Sequence, residues 1–168
     1  MREQNNRIGN MNNIAFMQGR LVPQIDNFIQ SFPVNEWKNE FEIAFKNDLN
    51  FIEWTADIWN IDHNPLFNNE KISNLKTSLK NNNLECIACT ADYFMQDPPW
   101  KSKDEKHLKD IITRNILNLS KLNGEIIVIP LVDNSSIHNE NEEKFVINFF
   151  QTFDKILSKN KIKIAFES

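Results

Sequence analysis

The chain has 168 residues, 40% hydrophobic and 25% charged, with a formal net charge of −4. That composition gives a soluble globular chain with room for a sizeable core, not a disordered one. The mild acidity and scattered Lys and Arg argue against a nucleic-acid partner, and no apolar run nears the roughly 20 residues that span a bilayer.

The N-terminal stretch 1–13, MREQNNRIGNMNN, is polar and reads as a flexible lead-in. It lacks the hydrophobic core of a secretion signal, so a cytoplasmic location is expected. From Ile14 to Leu21 the run IAFMQGRL is strand-like and is followed by a long aromatic loop. Asn35, Glu36 and Glu40 open a helix whose Trp37, Phe41, Ala44 and Phe45 share one face. Phe51 to Thr55 is the second strand, residues 56–69 form a loop, and Ile72, Leu75 and Leu79 mark the second helix. The third strand is Glu85 to Ala91, the loop after it carries Pro98 and Pro99, and the third helix runs from about Lys106 to Leu122, with Gly124 as its cap. Glu125 to Asp133 is nearly continuous hydrophobe, as in a strand covered on both faces. Phe145 to Leu157 repeats apolar residues at helical spacing, and KIKIAFES supplies a fifth strand.

Strand and helix thus alternate five times, which predicts an α/β fold with a parallel sheet, one partial domain over 1–168. Polar residues stand where the strands should end, namely Gln18, Glu53, Asp92, Asp133 and Glu167, at intervals of about 34 to 41 residues. That interval is one strand plus one crossover helix, the unit of a (β/α) barrel, in which chemistry gathers at the strands' C-terminal ends. The alternative, an open doubly wound sheet, lacks support because the chain has neither G-x-G-x-x-G nor G-x-x-x-x-G-K-[ST].

Strand alternation sorts the side chains by face. It puts Ile52 and Trp54 opposite Glu53, and Ile164 and Phe166 opposite Glu167. It also groups Cys86, Ala88, Thr90 and Asp92, and Ile127, Ile129, Leu131 and Asp133. One consistent choice brings Glu53, Asp92, Asp133 and Glu167 to one barrel mouth. Carboxylates that close need a cation or hydrogen-bond donors, so a divalent metal or a polyhydroxylated ligand fits. Asp92 and Asp133 fit equally well as caps of the turns that follow them. The C-x-x-C formed by Cys86 and Cys89 lies in a strand, where one thiol should face inward and the other the helices, giving two ordinary buried cysteines. His63, His107 and His138 read as solvated, and the four tryptophans as packing residues, with Trp59 also able to line a ligand site from its loop.

FMQGRLVP, IQSFPVNEW, FEIAFKNDLNFIEWTAD, NPL, CTADYFMQDP, IVIPLVDNSSI and IAFES together resemble the sugar phosphate isomerase/epimerase family, the xylose isomerase-like TIM barrels. The resemblance runs over nearly the whole chain from about Ile14. It implies isomerisation or epimerisation of a ketose or its phosphate by proton transfer through an enediolate, assisted by a divalent metal (Mn, Mg, Co or Zn). Glu167 matches the family's fifth-strand glutamate, a metal ligand and catalytic group. Gln18, Arg20 and Glu53 match the substrate-binding mouth, with Asp92, Tyr93 and Asp133 as further candidates. Family barrels have eight strands and take further metal ligands from strands six to eight. The chain is therefore expected to be an N-terminal portion truncated after the fifth strand, with an incomplete metal site. Two other functions stand beside this one: a non-catalytic half barrel that dimerises or binds through its open edge, and a metal-dependent phosphodiesterase of the apurinic endonuclease type. The latter would want histidines at the strand ends and a basic surface.

Overall fold

The structure, a computed structural model, describes residues 14–25, 28–29 and 31–168. The lead-in 1–13 lies outside the described residues. Five strands form one sheet: β1 Ala15–Met17, β2 Phe51–Thr55, β3 Glu85–Thr90, β4 Ile126–Pro130 and β5 Lys163–Glu167. All neighbours are parallel and the spatial order is the chain order. A doubly wound sheet reverses its strand order at a switch point, and this one does not, so it takes the barrel-type path. The helices are α1 Trp37–Lys46, α2 Ile72–Asn81, α3 Asp92–Gln96, α4 Glu105–Lys121, α5 Glu140–Gln151 and α6 Asp154–Asn160.

The core lies between sheet and helices. Ile52, Trp54, Ile127 and Ile129 are fully buried there, with Phe41 from α1, Leu75 from α2 and Leu108, Ile111, Ile112 and Ile116 from α4. Trp54 sits among Phe32, Phe41 and Trp37, and its indole N–H donates to Asn64 Oδ1 at 2.9 Å. Asn64 in turn donates to the Thr55 carbonyl and accepts from Leu66 N–H, so the loop after β2 is pinned under the tryptophan.

Four of the helices stop on a left-handed residue. Asp48, Asn83, Asn123 and Lys161 each take a positive φ just past a helix. The next residue then donates back into the last turn: Leu49 to Ala44, Leu84 to Leu79, Gly124 to Leu119 and Ile162 to Leu157. This is a Schellman-type stop, and Asn and Asp are the non-glycine residues that tolerate it best. Gly124 closes α4 as expected, from one residue past the left-handed Asn123. A Cβ there would meet Leu119 Cδ1 at 2.4 Å and the Cys86 carbonyl at 3.0 Å, so its role is close approach.

Four expectations change. The first strand ends at Met17, because Gly19 turns at φ 88. The stretch Phe145 to Leu157 is two helices, broken at Thr152 and Phe153, where the Thr152 hydroxyl bonds the Phe149 carbonyl. β4 stops at Pro130, and its Ile127 and Ile129 face the helices, so the face shared by Ile127 and Ile129 is not the inward one. Finally, β3 carries a bulge: Ile52 pairs with Cys86 but Glu53 pairs with Ala88. The skipped residue, Ile87, restores the phase, so Cys86 and Cys89 both lie on the helix side rather than on opposite faces.

Candidate functional site

The sheet's other face is the site. Pairing fixes its membership, since partners on adjacent strands point the same way: Met17, Glu53 and Ala88 in one row, Thr55 and Thr90 in the next, and Pro130 with Glu167 at the far edge. Glu53 and Glu167 therefore open on the same side. Thr90 donates its hydroxyl to Glu53 Oε1, which holds that carboxylate against the third strand.

Just past β1, Gln18 is fully buried. Its Oε1 accepts from Thr55 N–H at 3.3 Å and its carbonyl from the Thr55 hydroxyl at 3.0 Å, while its Nε2 has no partner. Past β3, Asp92 opens α3 and is 2% exposed, and its Oδ2 also lacks a partner. Burial drives its pKa up from 3.8 to about 7, helped by the negative charges of Asp57, Glu167 and Glu53 and opposed by Arg20. Side chains on β2 and β5 and in the loops after β1 and β2 thus act on one carboxyl. The loop bearing Gln18 and Arg20 is fixed by Glu40 of α1, whose Oε1 accepts from Gly19 N–H at 2.7 Å and Leu21 N–H at 3.1 Å. Burial pushes the Glu40 pKa up, and those backbone donors pull it back.

Sequence reasoning missed Asp57. It is fully buried, and its carboxylate accepts from Phe32 N–H at 2.6 Å and Asn60 N–H at 2.9 Å, so it ties the loop after β1 to the loop after β2. The only available signal was its place two residues past a strand, where Asp commonly organises a turn. Arg20 is exposed and donates to the Ile29 carbonyl at 2.5 Å. Trp59, 60% exposed, lies against Phe28 with ring centroids 5.4 Å apart, an aromatic pair on the same two loops.

Two candidates fall elsewhere. Tyr93 is fully buried on the helix side, its hydroxyl accepting from Asn115 Nδ2 of α4 at 3.2 Å and its ring edge-on to Phe67. Asp133 stands exposed in the 3-10 turn Asp133–Ser135 at φ 50 and is not among the charges that shift Asp92. Burial pushes the Cys86 thiol up to about 12 and Cys89 upward as well, so neither is a ready thiolate. Among the described residues no three His, Cys, Asp or Glu side chains are placed to hold a metal ion. Glu167 offers one donor where a catalytic site needs about three protein ligands.

Solved structures share this fold. A D-psicose 3-epimerase, in the presence of D-fructose, matches at a TM-score of 0.55 with 13% identity, over 76% of this chain and 45% of its own. A 3-keto-D-glucoside 4-epimerase from E. coli, in apo form, matches at 0.55 with 15% identity, over 77% and 49%. The IOLI protein with a binding zinc atom matches at 0.53 with 18% identity, over 77% and 45%. The chain thus spans about half the length of these structures, and the likeness establishes the fold, a partial (β/α) barrel of the TIM type. No protein-family model and no curated protein matches the sequence.

Proposed function

We propose that the chain carries the sugar-binding mouth and the proton-handling carboxylates of a ketose or sugar phosphate isomerase/epimerase. The observation that carries this reading is the convergence on Asp92. Glu53, Glu167, Asp57 and Arg20 all act on a buried carboxyl whose Oδ2 has no partner. A carboxyl that titrates near neutrality can both take and return a proton, which is what moving hydrogen between adjacent sugar carbons requires. Gln18 Nε2, a second buried group without a partner, is suited to donate to a sugar oxygen. Glu53 and Glu167 accept hydroxyl protons, and Arg20 offers a cation to a phosphate or a developing oxyanion. The aromatic pair Phe28 and Trp59, its rings tilted by 42°, presents an apolar surface suited to the C–H face of a sugar.

The similarity to epimerase structures supports this substrate class, and the zinc-bearing IOLI structure supports a divalent metal. Glu167 is the donor this chain would contribute. The described residues do not make a metal site by themselves.

The test is a titration of the 168-residue chain with D-fructose, followed by backbone amide shifts. Shifts are expected around Gln18, Glu53, Asp92 and Glu167, and a Glu53→Gln change should abolish them. Shifts confined to other surfaces, or none at all, would overturn the reading. In a completed enzyme, Glu167→Gln should remove turnover and weaken metal binding, and unaltered activity would take Glu167 out of the mechanism. A second reading, a non-catalytic half barrel that binds through its open edge, is favoured by the 51% exposure of Phe166 on β5.

A further inference from the structure

The loop after β2 and the short helix α3 are stitched together on both sides of Asp57. Ahead of it, Ala56 N–H donates to the Thr90 carbonyl at 3.0 Å, and the Ala56 carbonyl accepts from Tyr93 N–H at 2.9 Å. Behind it, Ile58 N–H donates to Gln96 Oε1 at 2.7 Å. Tyr93 directly follows Asp92, and Gln96 is the last residue of α3. The two stitches therefore lay the buried Asp57 alongside the start of α3. Its carboxylate cannot turn away by itself, because Phe32 N–H and the main-chain and side-chain N–H groups of Asn60 hold both oxygens.

The Ala56 stitch is main chain to main chain and independent of side chains. The Ile58 stitch depends on one amide. Without that oxygen the half-buried Ile58 N–H loses its acceptor, and the loop must turn toward water to find another. On its other flank α3 is tied to the loop after β4, where Asn134 Nδ2 donates to the Met95 and Gln96 carbonyls at 3.4 Å. That tie holds α3 still when the loop after β2 moves. We propose that Gln96 is a positioning residue, which sets the separation of the Asp57 and Asp92 carboxyls through Ile58. Two carboxyls held close in a buried place cannot both ionise without cost, so their separation governs how readily Asp92 keeps a proton. Burial is the first cause of the raised Asp92 pKa, and Asp57 is the foremost charge behind it, with Glu167 and Glu53 in support and Arg20 opposed. On the sugar-binding reading, on which the role in turnover rests, Gln96 tunes the carboxyl that trades a proton with the sugar.

Carbon-13 titration of the Asp92 carboxyl, without ligand, in wild type, Gln96→Met, Asp57→Asn and the double variant tests it. Gln96→Met fills the same space without an acceptor and should lower the Asp92 midpoint by about one pH unit. Asp57→Asn should lower it as well. Adding Gln96→Met to Asp57→Asn should change nothing further, because Gln96 acts through Asp57. Gln96→Glu keeps an acceptor for Ile58 and should not lower the midpoint. In the wild type the Ile58 amide should resist hydrogen exchange, a measurement that decides alone if Gln96→Met fails to fold. A midpoint unmoved by Gln96→Met, an equal fall in both backgrounds, a fall in Gln96→Glu, or an Ile58 amide that exchanges like an exposed loop amide would each overturn the proposal. D-Fructose takes no part in these measurements, so their failure leaves the binding titration free to succeed, and a chain that ignores the sugar leaves them intact.

Discussion

Replacing Asp92 by Asn keeps the shape of the side chain and removes its titration. In the folded chain burial holds the Asp92 carboxyl at about 7, against 3.8 as its ordinary value. A raised carboxyl favours folding only while the unfolded chain is also protonated. Its contribution is therefore complete below pH 3.8, falls as pH rises toward 7, and is gone above that. The displacement is worth about 4 kcal/mol once ionisation is complete, at about 1.4 kcal/mol for each tenfold change. Asn has no such dependence. Urea unfolding of wild type and Asp92→Asn from about pH 4 to about pH 8 should show the variant gaining on wild type with rising pH, by about 4 kcal/mol across the range. Other raised groups, Glu40 included, cancel in the difference. A pH-independent difference, or a variant that loses ground above neutrality, would refute the reasoning.

Glu40→Ala strips the acceptor from Gly19 and Leu21 N–H and should cost about 1–3 kcal/mol in urea unfolding, weakening any ligand that uses Gln18 or Arg20. Lys161→Gly relieves a left-handed lysine at φ 58 and should raise stability by about 1 kcal/mol in the same assay. Gly124→Ala drives a methyl into Leu119 and should lower stability by about 1–3 kcal/mol, with a matching fall in Tm. Cys86 and Cys89 should resist iodoacetamide in the native chain at neutral pH and react on unfolding, as mass spectrometry would show.

The fold was legible because five hydrophobic strands alternate with amphipathic helices at a near-constant interval. The inward direction of Glu53 and Glu167 was legible because FIEWT and KIAFE alternate cleanly between apolar and polar positions. IIVIP offers no such alternation, so the phase of β4 could not be read, and Asp133 was grouped with the face that turns to the helices. The bulge at Ile87 depends on how β3 pairs with β2, which its own residues do not encode, and it moved Cys86. Tyr93 follows Asp92 in sequence, yet α3 begins there and turns the phenol to Asn115. Asp57 left little trace because Phe32, its partner from the loop after β1, is a main-chain donor brought in by folding, and only Asn60 stands near it in sequence.

The shared rim is tested most directly by a carbon-13 titration of the Asp92 carboxyl in wild type and in Glu53→Gln, Glu167→Gln and Asp133→Asn. If the carboxylates of β2 and β5 meet over Asp92, its midpoint near 7 should fall in the first two variants and stay in place in the third. A midpoint that ignores both Glu53 and Glu167 would show that these strands do not share a mouth.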